Sequence, residues 1–237
     1  MIHTYSNCFR ILWLIKKVKP FFSQKQLKLI VNSLVVCKLD YCNALFYGIN
    51  ESLLDELQLI QNASAKTVFG LYKHDHVGDT LKQLHWLPIR YRIQFKMLMI
   101  VYKTLNGKGP QYLSDMIFYC STQSHLPQLF EPHTVTKYGD RAFSKAAPSL
   151  WNKIPASIKN CTTLGSFKCV LKTHLFNESY GQSWLNFLSS SCSACTLSLD
   201  CLLHPHQMVF AWGFNDVKYI YTISKIWGLL FDPQRYK

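Results

Sequence analysis

The stretch LHWLPIRYRIQFKMLMIVYKTLNGKGP, residues 84–110, decides the fold of this chain. Pro88 suits the first turn of a helix, because a proline lacks the N–H that this turn leaves unpaired. Gly107 suits the position just after a helix, where a left-handed residue often ends it. The stretch therefore predicts one long helix that begins at Pro88 and ends at Asn106.

The predicted helix is both apolar and basic. At 100° per residue three of its cations fall within about 40° of one another; they are Arg92, Lys96 and Lys103. The opposite arc is apolar and holds Ile93, Met97, Ile100 and Val101. The pattern predicts a helix that buries the apolar arc and presents the cations outward. Nearby aromatic residues are candidates for stacking on bases; they are Trp86, Tyr91 and Tyr102.

Caps and breakers predict further helices on both sides of this one. They are expected at 8–19, from Ser23 to Tyr47, from Asn50 to Gly70, near Thr80–Leu84, after Pro110 and after Thr163. The sequence predicts a mainly α fold with antiparallel helix pairs. Residues 8–118 are expected to form a basic helical module and 119–176 an irregular linker with a final amphipathic helix. Residues 177–237 are expected to be an atypical, poorly determined tail.

The chain carries 26 Lys and Arg against 13 Asp and Glu, a net charge of +13. The whole excess lies before Phe176. A domain this basic usually meets an anionic partner, and an RNA or DNA backbone is the expected one. Besides the stripe on the long helix, a second cluster comprises Lys16, Lys17 and Lys19. A third zone comprises Lys145, Lys153, Lys159, Lys168 and Lys172.

Signals for catalysis and metal binding are weak in this sequence. It has no adjacent pair of aspartates and no glycine-rich phosphate loop, so we expect no catalytic residue, cofactor or small-molecule substrate. The loop KHDHVGD, residues 73–79, is a weak metal candidate that we interpret as a solvated loop. The tail offers a weak zinc hint with an unusual spacing; its residues are Cys192, Cys195, Cys201, His204 and His206.

The start of the chain lacks the pattern of a secretory signal, so a nuclear or cytoplasmic location is expected rather than secretion. The nine cysteines are scattered and are expected to be reduced thiols. Residues 208–231 are the most apolar stretch, but charged residues interrupt them, so a membrane span is not expected.

Five strings in order carry a family resemblance. They are LIVNSLVVCKLDYCNALFYGI (29–49), LDELQLIQNASAKTVFG (54–70), LKQLHWLPIRYRIQFKMLMIVYKTLNGKGPQYL (81–113), GDRAFSKAAPSLWNKIP (139–155) and SFKCVLKTHLF (166–176). Together they resemble the C-terminal, post-palm region of reverse transcriptases from jockey-like non-LTR (LINE-type) retrotransposons. The likeness spans about residues 8–176, and the tail departs from it.

The resemblance implies a thumb-like helical segment and its extension, taken from an RNA-directed DNA polymerase whose catalytic palm is not in this chain. We therefore expect a truncated, non-enzymatic fragment of a transposable element with residual, non-specific RNA or DNA backbone binding. Its expected contacts are Arg92, Lys96, Lys103, Lys16, Lys17 and Lys19. The alternative is an inert, pseudogene-like product or a helical protein-interaction module without activity.

Overall fold

The computed structural model describes residues 2–72, 74–120 and 128–181. This part of the chain is mainly helical and contains no β-strand, which confirms the mainly α prediction. None of its helices is long and apolar enough to cross a membrane. The predicted tail beyond Gly181, with its zinc hint and the apolar stretch 208–231, lies outside the described residues.

The first helix ends before Pro20 as predicted but begins at Ile2, well before the predicted residue 8. Helix α1 spans Ile2–Val18, and a 3-10 turn at Lys19–Phe21 leads to α2, Gln24–Val31. Ser23 caps α2, because its hydroxyl accepts a hydrogen bond from the Gln26 N–H while the Gln26 side chain accepts one from the Ser23 N–H at 2.9 Å. This reciprocal pair is a capping box, and it confirms the predicted start.

The helix expected to run from Ser23 to Tyr47 ends earlier than predicted. After α2 the chain passes through a π-helical turn, Asn32–Val36, and a short helix α3, Cys37–Asp40. Cys42 then adopts a left-handed conformation with φ of 51°, which breaks the helical path. A 3-10 turn at Asn43–Phe46 follows. The break leaves Asp40 buried at the end of a helix.

The middle of the chain holds three helices. They are α4, Glu51–Phe69; α5, Gly78–Gln83; and α6, Ile89–Leu105. Asn50 caps α4, and Gly70 ends it in a left-handed conformation with φ of 75°. Pro88 directly precedes α6 and Gly107 follows it with φ of 66°, so the punctuation predicted for the long helix is confirmed.

The C-terminal part contains more helix than the sequence indicated. Helix α7 spans Gln111–Ser114, α8 Phe143–Lys153, α9 Ala156–Lys159 and α10 Leu164–Tyr180. Helix α8 lies within the segment predicted as an irregular linker. Pro148 lies inside α8 and removes one helical hydrogen bond. Burial of the surrounding face offsets that loss; the buried residues are Ala146, Ala147, Leu150 and Trp151.

Two apolar cores share α6. The first joins α1, α2, the π-helical turn and α4 to the beginning of α6, where Ile89 and Ile93 are buried. The second joins the rest of α6 to α8, α9 and α10. The helix α10 runs past the predicted boundary at residue 176, and the Tyr180 hydroxyl donates to the Trp86 carbonyl at 2.9 Å. The predicted linker segment thus belongs to the same packed structure as the predicted module.

Candidate nucleic-acid interface

Helix α6 is buried around most of its circumference. Its buried residues are Ile89, Ile93, Phe95, Met97, Leu98, Met99, Val101, Tyr102 and Thr104. The prediction of one apolar arc with freely outward cations is therefore wrong in detail, because helices pack against α6 on several sides. The three cations of the predicted stripe, Arg92, Lys96 and Lys103, are each only partly exposed. Trp86 and Tyr102 are also buried, at 3% and 2% exposure, and are unavailable for stacking on bases.

Two glutamines of α4 fix the start of α6. The buried Gln61 side chain donates to the Leu87 carbonyl at 2.8 Å. The Ile89 N–H lies in the first turn of α6 and so has no acceptor within the helix; it donates to the Gln58 side-chain oxygen at 2.9 Å. Because buried polar groups are costly to leave unpaired, these bonds set the position of α6 on α4. The same hydrogen bonds therefore determine where the cations of α6 reach the surface.

Arg92 is paired inside the fold. Its Nε donates to the Asp40 Oδ1 at 2.8 Å, and its Nη2 pairs with the Asp40 Oδ2. The side chains are 14% and 8% exposed, respectively. Such a bidentate pair is strong and directional. Arg92, one of the three predicted phosphate contacts on this helix, therefore faces a carboxylate.

Helices α6 and α10 pack antiparallel. The rings of Tyr102 and Phe167 stack with centroids 4.1 Å apart, and at the other end Tyr180 bonds to the Trp86 carbonyl. The Tyr102 hydroxyl also donates to the Cys161 carbonyl at 2.8 Å, just before α10. This packing places the residues that follow each stacked ring, Lys103 and Lys168, beside one another.

The basic seam, as we name it here, consists of Lys96 and Lys103 of α6 and Lys168 of α10. Partial burial lowers the pKa of Lys103, and the positive charge of Lys168 lowers it further. Burial also lowers the pKa of Lys96; Asp40 opposes this, and Lys103 and Lys168 add to it. The three ammonium groups thus lie within electrostatic reach of each other, which is a repulsive arrangement that an anion relieves.

Lys168 lies in the basic seam and not, as the sequence predicts, in a separate basic zone. The sequence predicts Lys168 and Lys172 in a separate zone, because no local pattern links α10 to α6. In the structure Lys168 joins the seam, whereas Lys172 is 6% exposed and its Nζ lies 5.6 Å from the Phe176 ring centroid. Two lysines of the seam each directly follow an aromatic residue, Tyr102 before Lys103 and Phe167 before Lys168. This shared pattern was the signal in the sequence that could have linked them.

The second predicted cluster lies around the end of α1. Lys16 and Lys17 are exposed, and the Lys17 Nζ lies 3.6 Å from the Trp13 ring centroid. The Lys19 ammonium lies against Gly70 at the C-terminal end of α4. A cation there interacts favourably with the helix dipole. The cluster therefore divides into two solvent-facing cations and one at a helix end.

The loop around residues 73–79 does not gather metal ligands. Asp75 accepts a hydrogen bond from the Tyr72 N–H at 2.7 Å, and Asp79 pairs with Lys82 at 3.2 Å. Within the described ranges no group of three or more potential metal-binding side chains converges.

No protein-family model matches this chain, and neither a curated protein nor a solved structure matches it. The likeness to reverse transcriptases therefore rests on the five strings of sequence alone.

Proposed function

We propose that this chain is a thumb-like fragment of a non-LTR retrotransposon reverse transcriptase that binds RNA or DNA backbone non-specifically. In this proposal the chain performs no polymerase chemistry, and the binding surface is the basic seam. The sequence strings support the origin, and the net charge of +13 supports an anionic partner. If the chain is instead an inert product, it is expected not to bind RNA or DNA.

The observation that carries the proposal is the convergence of Lys96, Lys103 and Lys168 from two helices. The stacked pair Tyr102 and Phe167 holds the two helices together at this point. Asp40, whose charge raises the pKa of Lys96, is already bonded to Arg92. Burial lowers the pKa of Lys103 and the charge of Lys168 lowers it further, so a phosphate at the seam exchanges repulsion for attraction.

The chemistry of the seam favours backbone contact over base recognition. Lysine ammonium groups are compact point charges without the planar fork that pairs two-fold with a guanine edge. Arg92 has such a fork, but it is committed to Asp40. We therefore expect binding that depends strongly on salt and only slightly on sequence.

The test compares the full chain with Lys103→Gln/Lys168→Gln by fluorescence anisotropy, using a labelled duplex of about 20 base pairs in about 50 to 200 mM salt. Removing two phosphate contacts is expected to reduce the slope of log affinity against log salt by about 2. The matched control, Lys137→Gln/Lys153→Gln, removes two charges from exposed positions outside the seam.

Equal slopes for the two variants would show that binding follows net charge rather than the seam. Absence of binding by the unaltered chain at low salt would favour the inert product. Circular dichroism of both variants checks that the helical content is unchanged, so that a loss of binding is assigned to the charges.

A protein-interaction module is the second candidate, and one observation favours it. Large side chains around an isolated antiparallel bridge are 44 to 61% exposed; they are Tyr112, Met116, Phe118, Tyr119 and Phe130. The Phe130 N–H donates to the Phe118 carbonyl at 2.8 Å and so holds two of these residues together. If the surface joins copies of the chain, sedimentation will show association that Phe118→Ser/Phe130→Ser abolishes. A concentration-independent monomer removes this support.

A further inference from the structure

The outward face of α1 differs from every other basic surface of the described chain that the sequence singled out. Exposed cations of this face flank the exposed ring of Trp13, and a second exposed aromatic residue, Phe21, follows the helix. Trp13 is 54% exposed, and Phe21, in the turn that follows α1, is 83% exposed. The exposed cations of the same face are Arg10, Lys16 and Lys17.

Helical geometry explains why these residues share one face. At 100° per residue Arg10, Trp13, Lys16 and Lys17 fall within an arc of about 120°. The buried residues of α1 occupy the opposite arc; they are Cys8, Ile11, Leu12 and Ile15. The buried arc packs on the first core, so the aromatic and basic arc faces solvent.

Trp13 and Lys17 form a pre-arranged pair. The Lys17 Nζ lies 3.6 Å from the Trp13 ring centroid, one helical turn further along α1. The ammonium covers one face of the indole, and Trp13 remains 54% exposed. A base stacked on the ring therefore has a cation within reach of its own phosphate.

The distribution of charge and apolar surface discriminates between possible partners. The sequence of α1 contains no acidic residue, so the face is complementary to an anion. Insertion into a lipid surface needs a continuous apolar strip, whereas Lys16 and Lys17 interrupt Trp13 and Phe21. Bases in a duplex are already stacked on their neighbours, so exposed rings add little to duplex binding. Unpaired bases have open faces.

We propose that this face binds single-stranded nucleic acid, with Trp13 and Phe21 stacking on unpaired bases and Lys16 and Lys17 contacting the phosphates. The inference rests on the proposed function, because it specifies which form of nucleic acid the chain holds and where. The basic seam contacts backbone of any form, and the α1 face adds a preference for single strands.

The experiment measures binding of the full chain to a fluorescent single strand of about 20 nucleotides and to the matching duplex. Trp13→Leu/Phe21→Leu keeps apolar side chains and removes both rings. We expect its affinity for the single strand to fall about tenfold or more, while its duplex affinity changes less than about twofold. Trp13→Phe/Phe21→Tyr keeps aromatic rings and is expected to restore most of the single-strand affinity.

Three outcomes overturn the inference. They are an unchanged single-strand affinity in the leucine variant, an equal loss for both forms, and a loss that the aromatic variant does not restore. Sedimentation with phosphatidylserine vesicles forms a further arm, in which ring-dependent binding to vesicles but not to the single strand assigns the face to lipid and also overturns it. Lys103→Gln/Lys168→Gln separates the two proposals. If only the proposal about the basic seam is wrong, this variant binds as the unaltered chain does, and the preference for single strands still depends on the rings of Trp13 and Phe21.

Discussion

Helices α1 and α6 are equally long, at 17 residues each, and both are apolar and basic, yet the fold uses them in different ways. Helix α1 buries one arc and exposes the other, so its cations and aromatic residues face solvent. Helix α6 lies between two cores and is buried on most sides. The number of neighbours around a helix, rather than its composition, decides whether a cation is a surface charge or part of the interior.

The difference is clearest between Arg10 of α1 and Arg92 of α6. Arg10 of α1 is exposed and bonds to the Asn7 side chain at 3.4 Å. Arg92 of α6 forms a bidentate pair with a carboxylate 52 residues away in sequence. Substitutions that treat the two helices alike are therefore expected to have very different consequences.

The largest difference is expected for these arginines. Arg92→Ala leaves the carboxylate of Asp40 buried without its partner, and we expect the free energy of unfolding to fall by about 3–5 kcal/mol. Arg10→Ala is expected to change it by less than about 0.5 kcal/mol. Urea unfolding followed by circular dichroism measures both. If Asp40→Asn/Arg92→Ala lowers the free energy of unfolding by as much as the two single substitutions added together, the two side chains do not stabilise each other as an ion pair.

The aromatic rings of Phe167 and Phe21 allow the same comparison between a buried and an exposed side chain. Phe167 is fully buried and stacks on Tyr102, so Phe167→Ala is expected to cost about 3–5 kcal/mol by creating a cavity. Phe21→Ala, on the exposed side of α1, is expected to cost less than about 0.5 kcal/mol. Thermal unfolding compares the pair. Similar costs would contradict the assignment of one ring to the core and the other to the surface.

A smaller effect is expected where α6 is attached to α4. Gln61→Leu is close in volume but leaves the buried Leu87 carbonyl without its donor, which is expected to cost about 1–3 kcal/mol. Gln24→Leu, at the exposed start of α2, is the control. Hydrogen exchange in α6 is the more specific readout, because loosening should appear first at its N-terminal turn. Uniform exchange throughout the chain would contradict this local role.

The smallest expected effect is on pH dependence. Burial lowers the pKa of Lys96 and Lys103 in the folded chain, so the unfolded chain binds more protons between their lowered values and about 10.5. Stability from these groups therefore rises with pH in that window. Above about 10 the raised pKa of Tyr102 opposes the rise. Lys103→Met is expected to reduce the rise of the urea unfolding midpoint with pH. An unchanged pH profile would contradict the lowered pKa of Lys103.

Local signals were sufficient to predict most helices. Ser23, Asn50, Pro88 and Gly107 act through their own backbone neighbours, and the structure confirms the boundaries that they indicate. Helix α8 was missed because Pro148 is a helix breaker in isolation. The second core supplies the compensating burial, and no local pattern reveals that core.

The candidate site was harder to predict than the fold, because it depends on distant pairs. Nothing near Arg92 in sequence indicates Asp40, and nothing near Lys103 indicates Lys168. The early break at Cys42 positions the first pair, and the ring stack of Tyr102 on Phe167 positions the second. The sequence identified the cations, and the packing decided which of them are paired inside the fold and which face solvent.

Binding of a phosphate backbone at the basic seam is tested most directly at Lys103 itself. Side-chain NMR of lysines labelled with carbon-13 follows its titration with and without a DNA duplex, and Lys103→Arg assigns the signal. A phosphate at the seam offsets the charge of Lys168, so the pKa of Lys103 is expected to rise on binding while the signal of exposed Lys153 stays unchanged. An unchanged pKa for Lys103 in a duplex-bound chain would contradict binding at the seam.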